Sequence, residues 1–573
     1  MVLRYLRKVD GFSSNPDSHF DPFACEAFLA VGSDSQKAFV SDVRSQWHRP
    51  SGDRALLDEG LLKYNITTPK RCYDGDYLAI LKRTFDEMEP RTKLIPLTLG
   101  AAAAHPDFPR TTSPGFPWVF QDKHTKAEVL ADTASVGKIH RAWDSIGRGI
   151  PWSLPDSMAY HRVIASPKEK VKVRPVWGYP VDVILEEARF FFPFFKYIKD
   201  KCNVDDVCYG LGMETARSGH HHLARSFTES PSSLALCCDI SNFDARVPAW
   251  IIRDCFSFLS SWFDFSKVED SEGKIWNVKV EQTTRRWKAM VSYFINTKVR
   301  SPSGLRVQKA HGIPSGSMWT NPIDTFVNAV QTRVAIRRVT GHLPTKDYYF
   351  GDDGVVFIRD SSLDLDAMAH ELSSTFGAIL SVDKTILTDN VCNIQWLGYF
   401  YRPEGPRRSM DFLIASSIYP EREVEHPLES CSRLLGQMYS CMDPHAAVFF
   451  YDATQYLLRQ HELNVETLDS YVRSKSIKAY KYLITLGLTP EEIVTPDCFP
   501  DPFGQRYIPA VLPRPCARRF VHMRSQTLPP YAFAPEAYAN PGFRPSGFLD
   551  FDKFQLTYDN PHDYHEDSGY FTS

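Results

Sequence analysis

The stretch Lys346-Asp347-Tyr348-Tyr349-Phe350-Gly351-Asp352-Asp353-Gly354-Val355-Val356-Phe357-Ile358 reads as strand, tight turn, strand. Tyr348 to Phe350 are aromatic, Val355 to Ile358 are β-branched or aromatic, and Gly351 and Gly354 bracket two adjacent carboxylates. Two aspartates at a hairpin tip repel each other unless a positive charge sits there. A divalent cation is the usual remedy, and hard oxygen ligands suit Mg2+ or Mn2+. An Asp-Asp pair is equally an ordinary solvated turn. A Gly-Asp-Asp triplet arises by chance in about one chain in ten of this size, so the hairpin needs support from elsewhere.

Around it lie 573 residues, too many for one simple core, and several lobes are expected. Hydrophobic content of 43% and charged content of 24% are those of a soluble globular protein, while forty prolines and 13% aromatics favour ordered loops and stacking surfaces. A net charge of −3 excludes nucleic-acid binding through the whole surface but leaves room for a basic channel. The twelve cysteines are scattered without a CxxC, which argues against a zinc framework and for a reducing compartment. Met1 to Lys8 is not followed by a long apolar run, so no secretory signal is expected, and nothing reads as a membrane span.

Upstream of the hairpin, Thr112-Ser113-Pro114-Gly115-Phe116-Pro117-Trp118 is a stiff loop, either a structural turn or a platform for a nucleic-acid strand. Lys168, Lys170, Lys172 and Arg174 alternate at period two, which predicts one face of an extended strand. Such a row is either a solvated edge or a track for phosphates. Ile184 to Tyr197 reads as an apolar helix, and His220-His221-His222 as surface residues rather than metal ligands. Ser233 to Ile240 is an apolar strand delivering Asp239, followed by Asp244 and a helix opened by Pro248. A carboxylate there is costly unless paired or metal-bound, though it can also cap a helix. His311 to Ser317 is a small-residue loop before an amphipathic helix, with Asn321 placed to cap it and Pro322 at its first position.

Downstream, Leu363 to Phe376 predicts a helix stopped by Gly377, and Lys384 falls in a turn. Ile394 to Tyr401 reads as one short strand, and residues 426 to about 492 as mainly helical. From Thr495 the chain is rich in Pro, Phe and Tyr and reads as an extended strap.

In this order, Asp239 with Asp244, the Ser315-Gly316 loop, the Asp352-Asp353 hairpin, Lys384 and Trp396-Leu397-Gly398 resemble the palm of a viral RNA-dependent RNA polymerase. Thr112, Ser113, Pro114 and Gly115 resemble the loop that admits template, and the basic segment ending at Arg174 the fingers element contacting incoming nucleotide. Matching segments span roughly residues 112 to 401. Arg174-Pro175-Val176-Trp177, Phe243-Asp244, Val247-Pro248-Ala249-Trp250, Tyr293-Phe294-Ile295-Asn296-Thr297 and Gly312-Ile313-Pro314-Ser315-Gly316-Ser317-Met318 are most similar to partitivirus polymerases, with picobirnavirus enzymes as architectural neighbours.

The resemblance implies an α+β fold, a closed right hand whose antiparallel palm sheet carries the carboxylates. Its divisions are an N-terminal bridge of fingers and thumb (1–95), fingers (96–232 and 270–310), palm (233–269 and 311–425), thumb (426–494) and a C-terminal extension (495–573). It implies two Mg2+ ions, replaceable by Mn2+, held by Asp239 and Asp352 with Asp353 assisting. Lys168, Lys170, Lys172 and Arg174 would hold the triphosphate, and Lys384 would protonate pyrophosphate. Ser315, Gly316, Thr320 and Asn321 would line the nucleotide, and Asp244 would sense the ribose 2′-hydroxyl. Where many relatives carry Asn as the partner of Asp244, this chain has Asp324, with Asn321 and Asn328 about one helical turn to either side; Asn321 is slightly favoured over Asp324.

Implied partners are single- and double-stranded template RNA, nucleoside triphosphates and a viral capsid protein, without a membrane, in the virion interior and host cytoplasm. A reverse transcriptase shares the palm, but usually carries Tyr-x-Asp-Asp, and no RNase H-like carboxylate set follows residue 401. A non-catalytic virion protein binding double-stranded RNA is the other alternative.

Overall fold

Alternation along the Leu234–Cys237 strand sets the centre of the fold. Leu234 and Leu236 enter one apolar cluster, Ala235 and Cys237 another, so both faces of this strand are buried. Its neighbour Asp353–Ile358 divides likewise, Val356 and Ile358 to one side, Val355 and Phe357 to the other. Strands buried twice over read as continuous apolar runs, as these do. The computed structural model describes residues 3–13, 18–171, 173–215, 219–401, 406–441, 444–475 and 520–523.

The central sheet runs Lys346–Phe350, Asp353–Ile358, Leu234–Cys237, Ile386–Thr388 and Phe520–Met523, all antiparallel. One face packs on the helices Gly75–Asp86, Ala249–Ser261, Thr320–Thr340 and Leu365–Phe376. Phe85 and Phe326 stack there with centroids 4.5 Å apart. Every residue from Pro322 to Ile336 is buried, so this helix is not amphipathic as expected: it lies in the middle of the helical layer and is enclosed on all sides. It also starts at Thr320, placing Asn321 inside it rather than at its cap.

The opposite face is covered by the helix Gly219–Glu229 and the hairpin Gln395–Trp396/Tyr399–Phe400. Here two expectations are corrected. His220 and His221 are buried, not superficial, because this helix turns them toward Tyr399 and Tyr401. His220 Nε2 lies 3.1 Å from the Tyr399 carbonyl, and burial lowers its imidazole to about 4. Ile394 to Tyr401 is not one strand, since Leu397 (φ 51°) and Gly398 (φ 78°) form the two-residue turn of a hairpin.

A second sheet is ordered Arg4–Tyr5, Arg306–Gln308, Lys298–Arg300, Ser157–Val163 and Val173–Gly178. The predicted basic strand is shorter than expected. Lys168 and Lys170 lie in a turn closed by the Lys170 N–H on the Pro167 carbonyl, while the Lys168 N–H donates to Gln46. Only Arg174 of the row is seen on a strand, and Lys172 lies outside the described residues.

A helical unit gathers Pro22–Val31 and Asp34–Gln46 with Met410–Ile418, Pro427–Cys441, Pro444–Gln460 and Val465–Lys475. Asp21, fully buried, caps the first helix through Ala24 N–H (3.0 Å) and accepts from Ser430 Oγ and Arg433 Nη2, both at 2.7 Å. Arg49 joins this unit to the second sheet by donating to the carbonyls of Tyr419 and Val163. Apart from residues 520–523, the strap expected after Thr495 lies outside the described residues, as does the helical region beyond 475.

Candidate active site

Register brings the distant aspartates together. Val355 pairs with Cys237 in the antiparallel ladder, and continuing that register sets Asp353 opposite Asp239. The tip itself is fastened from below. The Gly351 N–H donates to Thr325 Oγ1 at 2.8 Å, and Asn328 Nδ2 donates to the carbonyls of Gly351 (3.2 Å) and Asp352 (2.9 Å). Gly351 holds φ 66°, a left-handed conformation that glycine adopts without strain.

The carboxylates share one electrostatic field. Enclosure by protein, then the charges of Asp352 and Asp239, push Asp353 up to about 7; its open face to solvent moderates the first of these. Asp244 is pushed up to about 6 by burial and then Asp352, with Arg174 pulling the other way. Asp324 is raised well above the carboxylate range by burial, Asp244 and Asp352, and its buried Oδ1 has no hydrogen-bond partner. Among the described residues no three such ligand groups are close enough to clasp an ion as they stand. Like charges without a counter-ion repel. Asp239, Asp352 and Asp353 present carboxylate oxygens of the hard kind that divalent cations take, and Asp324 beside them carries an orphaned buried oxygen.

Lys384 sits in the turn beside Asp239. The Ser381 N–H donates to the Asp239 carbonyl at 2.7 Å, and the Lys384 N–H closes the turn on Ser381 at 2.9 Å. Thr385 Oγ1 accepts from the Asp239 N–H at 3.4 Å.

The small-residue loop approaches from the second sheet. The Ile313 N–H donates to the Asp244 carbonyl at 2.7 Å, and Ser315 Oγ accepts from the Trp177 N–H at 3.2 Å. A Cβ on Gly316 would lie 1.6 Å from the Trp177 carbonyl oxygen, so no side chain fits there. Thr320 Oγ1 donates to Pro314 and Ser317 carbonyls. Glu187, fully buried, accepts from Ser317 Oγ (2.7 Å) and the Met318 N–H (2.9 Å).

Asn321 Oδ1 accepts from Tyr209 at 2.6 Å, and Asp324 is the helix residue that feels the Asp244 charge. The Thr112–Gly115 loop is anchored elsewhere. Lys126 Nζ donates to Thr112 Oγ1 and the Ser113 carbonyl, both at 2.7 Å, and the Val181 N–H to Pro114 at 2.8 Å. The backbone N–H groups of Lys168 and Lys170 donate to the carbonyls of Gln46 and Pro167. Sequence reasoning missed Thr325, Tyr209 and Glu187, and noted Asn328 only as a neighbour of Asp324, not as a tie to the hairpin tip. The signal for Thr325 and Asn328 was a polar stripe, Asn321, Thr325 and Asn328, at helical spacing.

Residues 84–435 match the family described as viral RNA-dependent RNA polymerase. The chain is 27% identical over 316 residues to the RNA-directed RNA polymerase of Atkinsonella hypoxylon virus (isolate 2H), covering 48% of this chain and 46% of that protein. It is 25% identical over 367 residues to the RNA-directed RNA polymerase of Cryptosporidium parvum virus 1 (strain KSU-1), covering 58% of this chain and 62% of that protein. The chain thus spans less than two thirds of the length of either relative. The family match takes in more than half of the chain, including both strands that bring Asp239 and Asp353 together: this chain belongs to the viral RNA-dependent RNA polymerases, a family whose fold is the right-hand polymerase.

Proposed function

We propose that the chain is an RNA-directed RNA polymerase that copies and transcribes a double-stranded RNA viral genome by nucleotidyl transfer. The observation that carries this reading is the register that sets Asp239 against Asp353 within a field of five carboxylates. The attacking 3′-hydroxyl and the α-phosphorus of a nucleoside triphosphate would meet there, with pyrophosphate leaving. Asp239, Asp352 and Asp353 would hold two Mg2+ ions, or Mn2+. When bound, such ions lower the pKa of the attacking hydroxyl and neutralise charge on the leaving group.

The protein's own part is positioning and charge. Arg174, close enough to act on Asp244, offers a cation to the triphosphate. Lys384, in the turn hydrogen-bonded to Asp239, is the proton donor to pyrophosphate. Asp244 reads the ribose 2′-hydroxyl with Asp324 rather than Asn321 beside it. Ser315, Gly316 and Thr320 bring backbone close to the nucleotide. The central sheet and its helices serve as palm, the second sheet as fingers and the helical unit as thumb. The N-terminal residues, which contribute both to the second sheet and to the helical unit, bridge the two in a closed hand.

Template RNA would pass the Thr112–Gly115 loop, and a capsid protein would be the partner in the virion interior, with host cytoplasm as the other location. No helix among the described residues is long and apolar enough to cross a membrane. The test is template-directed incorporation of labelled UTP by the purified chain with Mg2+. Incorporation that is lost in Asp352→Ala supports the reading. A preference for deoxynucleotides would make the enzyme a reverse transcriptase, and RNA binding without incorporation would make it a non-catalytic binding protein.

A further inference from the structure

A cavity of about 440 Å3 opens between the end of the helix Thr133–Arg148, the loop after it and the helix Val280–Ile295. Its walls include Ile150 and Trp152 from the loop, Arg285 and Asn296 from the second helix side, and Lys298 and Gln308 from the second sheet. No Asp or Glu is among its described lining residues, although acids outnumber bases in the whole chain. Trp152 is 50% exposed and Ile150 51%, beside two cations.

The cations continue beyond the cavity. Lys298 and Arg300 share a face of one strand, with Val299 buried on the other. The Arg300 guanidinium stacks on Phe116, 3.7 Å from the ring centroid, directly after the Thr112–Gly115 loop, and is already paired with buried Asp156 at 2.9 Å. Arg4 stands opposite Gln308 in the ladder. A solvated sheet edge explains the charges but not an open indole and isoleucine beside an acid-free cavity.

We propose that this cavity is a binding site for single-stranded RNA outside the carboxylate cleft, with a base stacked on Trp152 and phosphates on Arg285 and Lys298. An unpaired base is required, because a duplex offers no free base face to an indole. The inference takes only the choice of RNA from the polymerase reading.

The test uses the full chain and its Trp152→Ala/Lys298→Ala variant. Anisotropy is read with a labelled single-stranded oligouridylate and with a duplex of equal length, and incorporation with a long and a very short template. We expect roughly tenfold weaker binding of the single strand, little change for the duplex, unaltered thermal unfolding, and slower incorporation on the long template only. Trp152→Phe should restore most of the affinity, which separates stacking from loss of fold. Equal single-strand affinity in parent and variant would overturn the site, as would equal weakening for single strand and duplex. A parent that fails to incorporate on either template defeats the polymerase reading, while the binding difference still decides the site.

Discussion

The two five-stranded sheets place opposite charges in opposite settings. The central sheet is sandwiched between buried apolar clusters; Asp347, inside a strand, is paired with Arg333 (Nε 2.6 Å), and its other acids lie at or just past strand ends, at Asp239, Asp352 and Asp353. The second sheet spreads Arg4, Arg174, Lys298, Arg300 and Arg306 along its strands on partly or fully open positions. Its counter-charge Asp156 accepts from Arg306 Nε (2.7 Å) and Arg300 Nη2 (2.9 Å); burial opposes its ionisation, yet those two guanidinium groups hold it below the usual carboxylate range. Acids concentrated at rigid strand ends can gather cations at one point. Cations dispersed along a strand face can follow a polyanion but not focus on one atom. Under the proposed function, the contrast would separate a place for chemistry from a surface for guiding RNA.

The strongest way to break that distinction is to remove the acids. Asp239→Ala or Asp352→Ala should abolish incorporation, on the order of 10³-fold or more, with circular dichroism and thermal unfolding preserved, because both residues lie past the buried part of their strands. Incorporation retained in either variant would end the assignment of chemistry to the central sheet. Next in size is Lys384→Leu, expected to slow single-turnover incorporation on the order of 10²-fold. An unchanged rate would leave the lysine as a turn residue only.

Much of the central sheet was legible because its signals are local. An apolar run ending in Asp239, an aromatic and β-branched hairpin around Asp352-Asp353, and Gly377 after Phe376 (φ 73°, helix C-terminus) each follow from short-range chemistry. Period-two alternation misled at Lys168 and Lys170, because pairing of Ser166–Pro167 with Trp47–His48, more than a hundred residues away, ends the strand and begins a turn. The burial of His220 and His221 also depends on distant partners, Tyr399 and Tyr401. Spacing could not show that Tyr209, 112 residues away in sequence, donates to the Asn321 carboxamide oxygen.

A subtler effect sharpens the comparison at the hairpin tip. Asn328 ties the Gly351 and Asp352 carbonyls to the helix behind them. Asn328→Ala should loosen the tip by less than an ångström and lower the single-turnover rate about tenfold, under the 10²-fold that larger misplacement costs. Nucleotide affinity should change little. A fall in affinity with an unchanged rate would contradict a positioning role.

The smallest expected effect on incorporation is at Glu187, where the two sheets are coupled. It lies on the helix Val181–Val204, just after the Val173–Gly178 strand of the cationic sheet, and holds Ser317 and Met318 at the start of the helix behind the acidic one. Burial pushes its carboxyl up to about 8, with Ser317 and the Met318 N–H pulling it down. An unfolded glutamate titrates near about 4.3, so the native state keeps a proton that the unfolded chain releases. Its contribution to stability is therefore complete below about pH 4 and declines as pH rises, until it is lost above about 8. Glu187→Gln removes this titration while its amide oxygen can accept from Met318 and its NH2 can donate to Ser317 Oγ. Unfolding midpoints of the two proteins should converge at pH 5 and separate toward pH 8, where the variant gains, by up to about 1.4 kcal/mol per pH unit. A constant offset at every pH would mean that the buried carboxyl is ionised throughout, and that the coupling of the two sheets rests on a charge rather than on a proton.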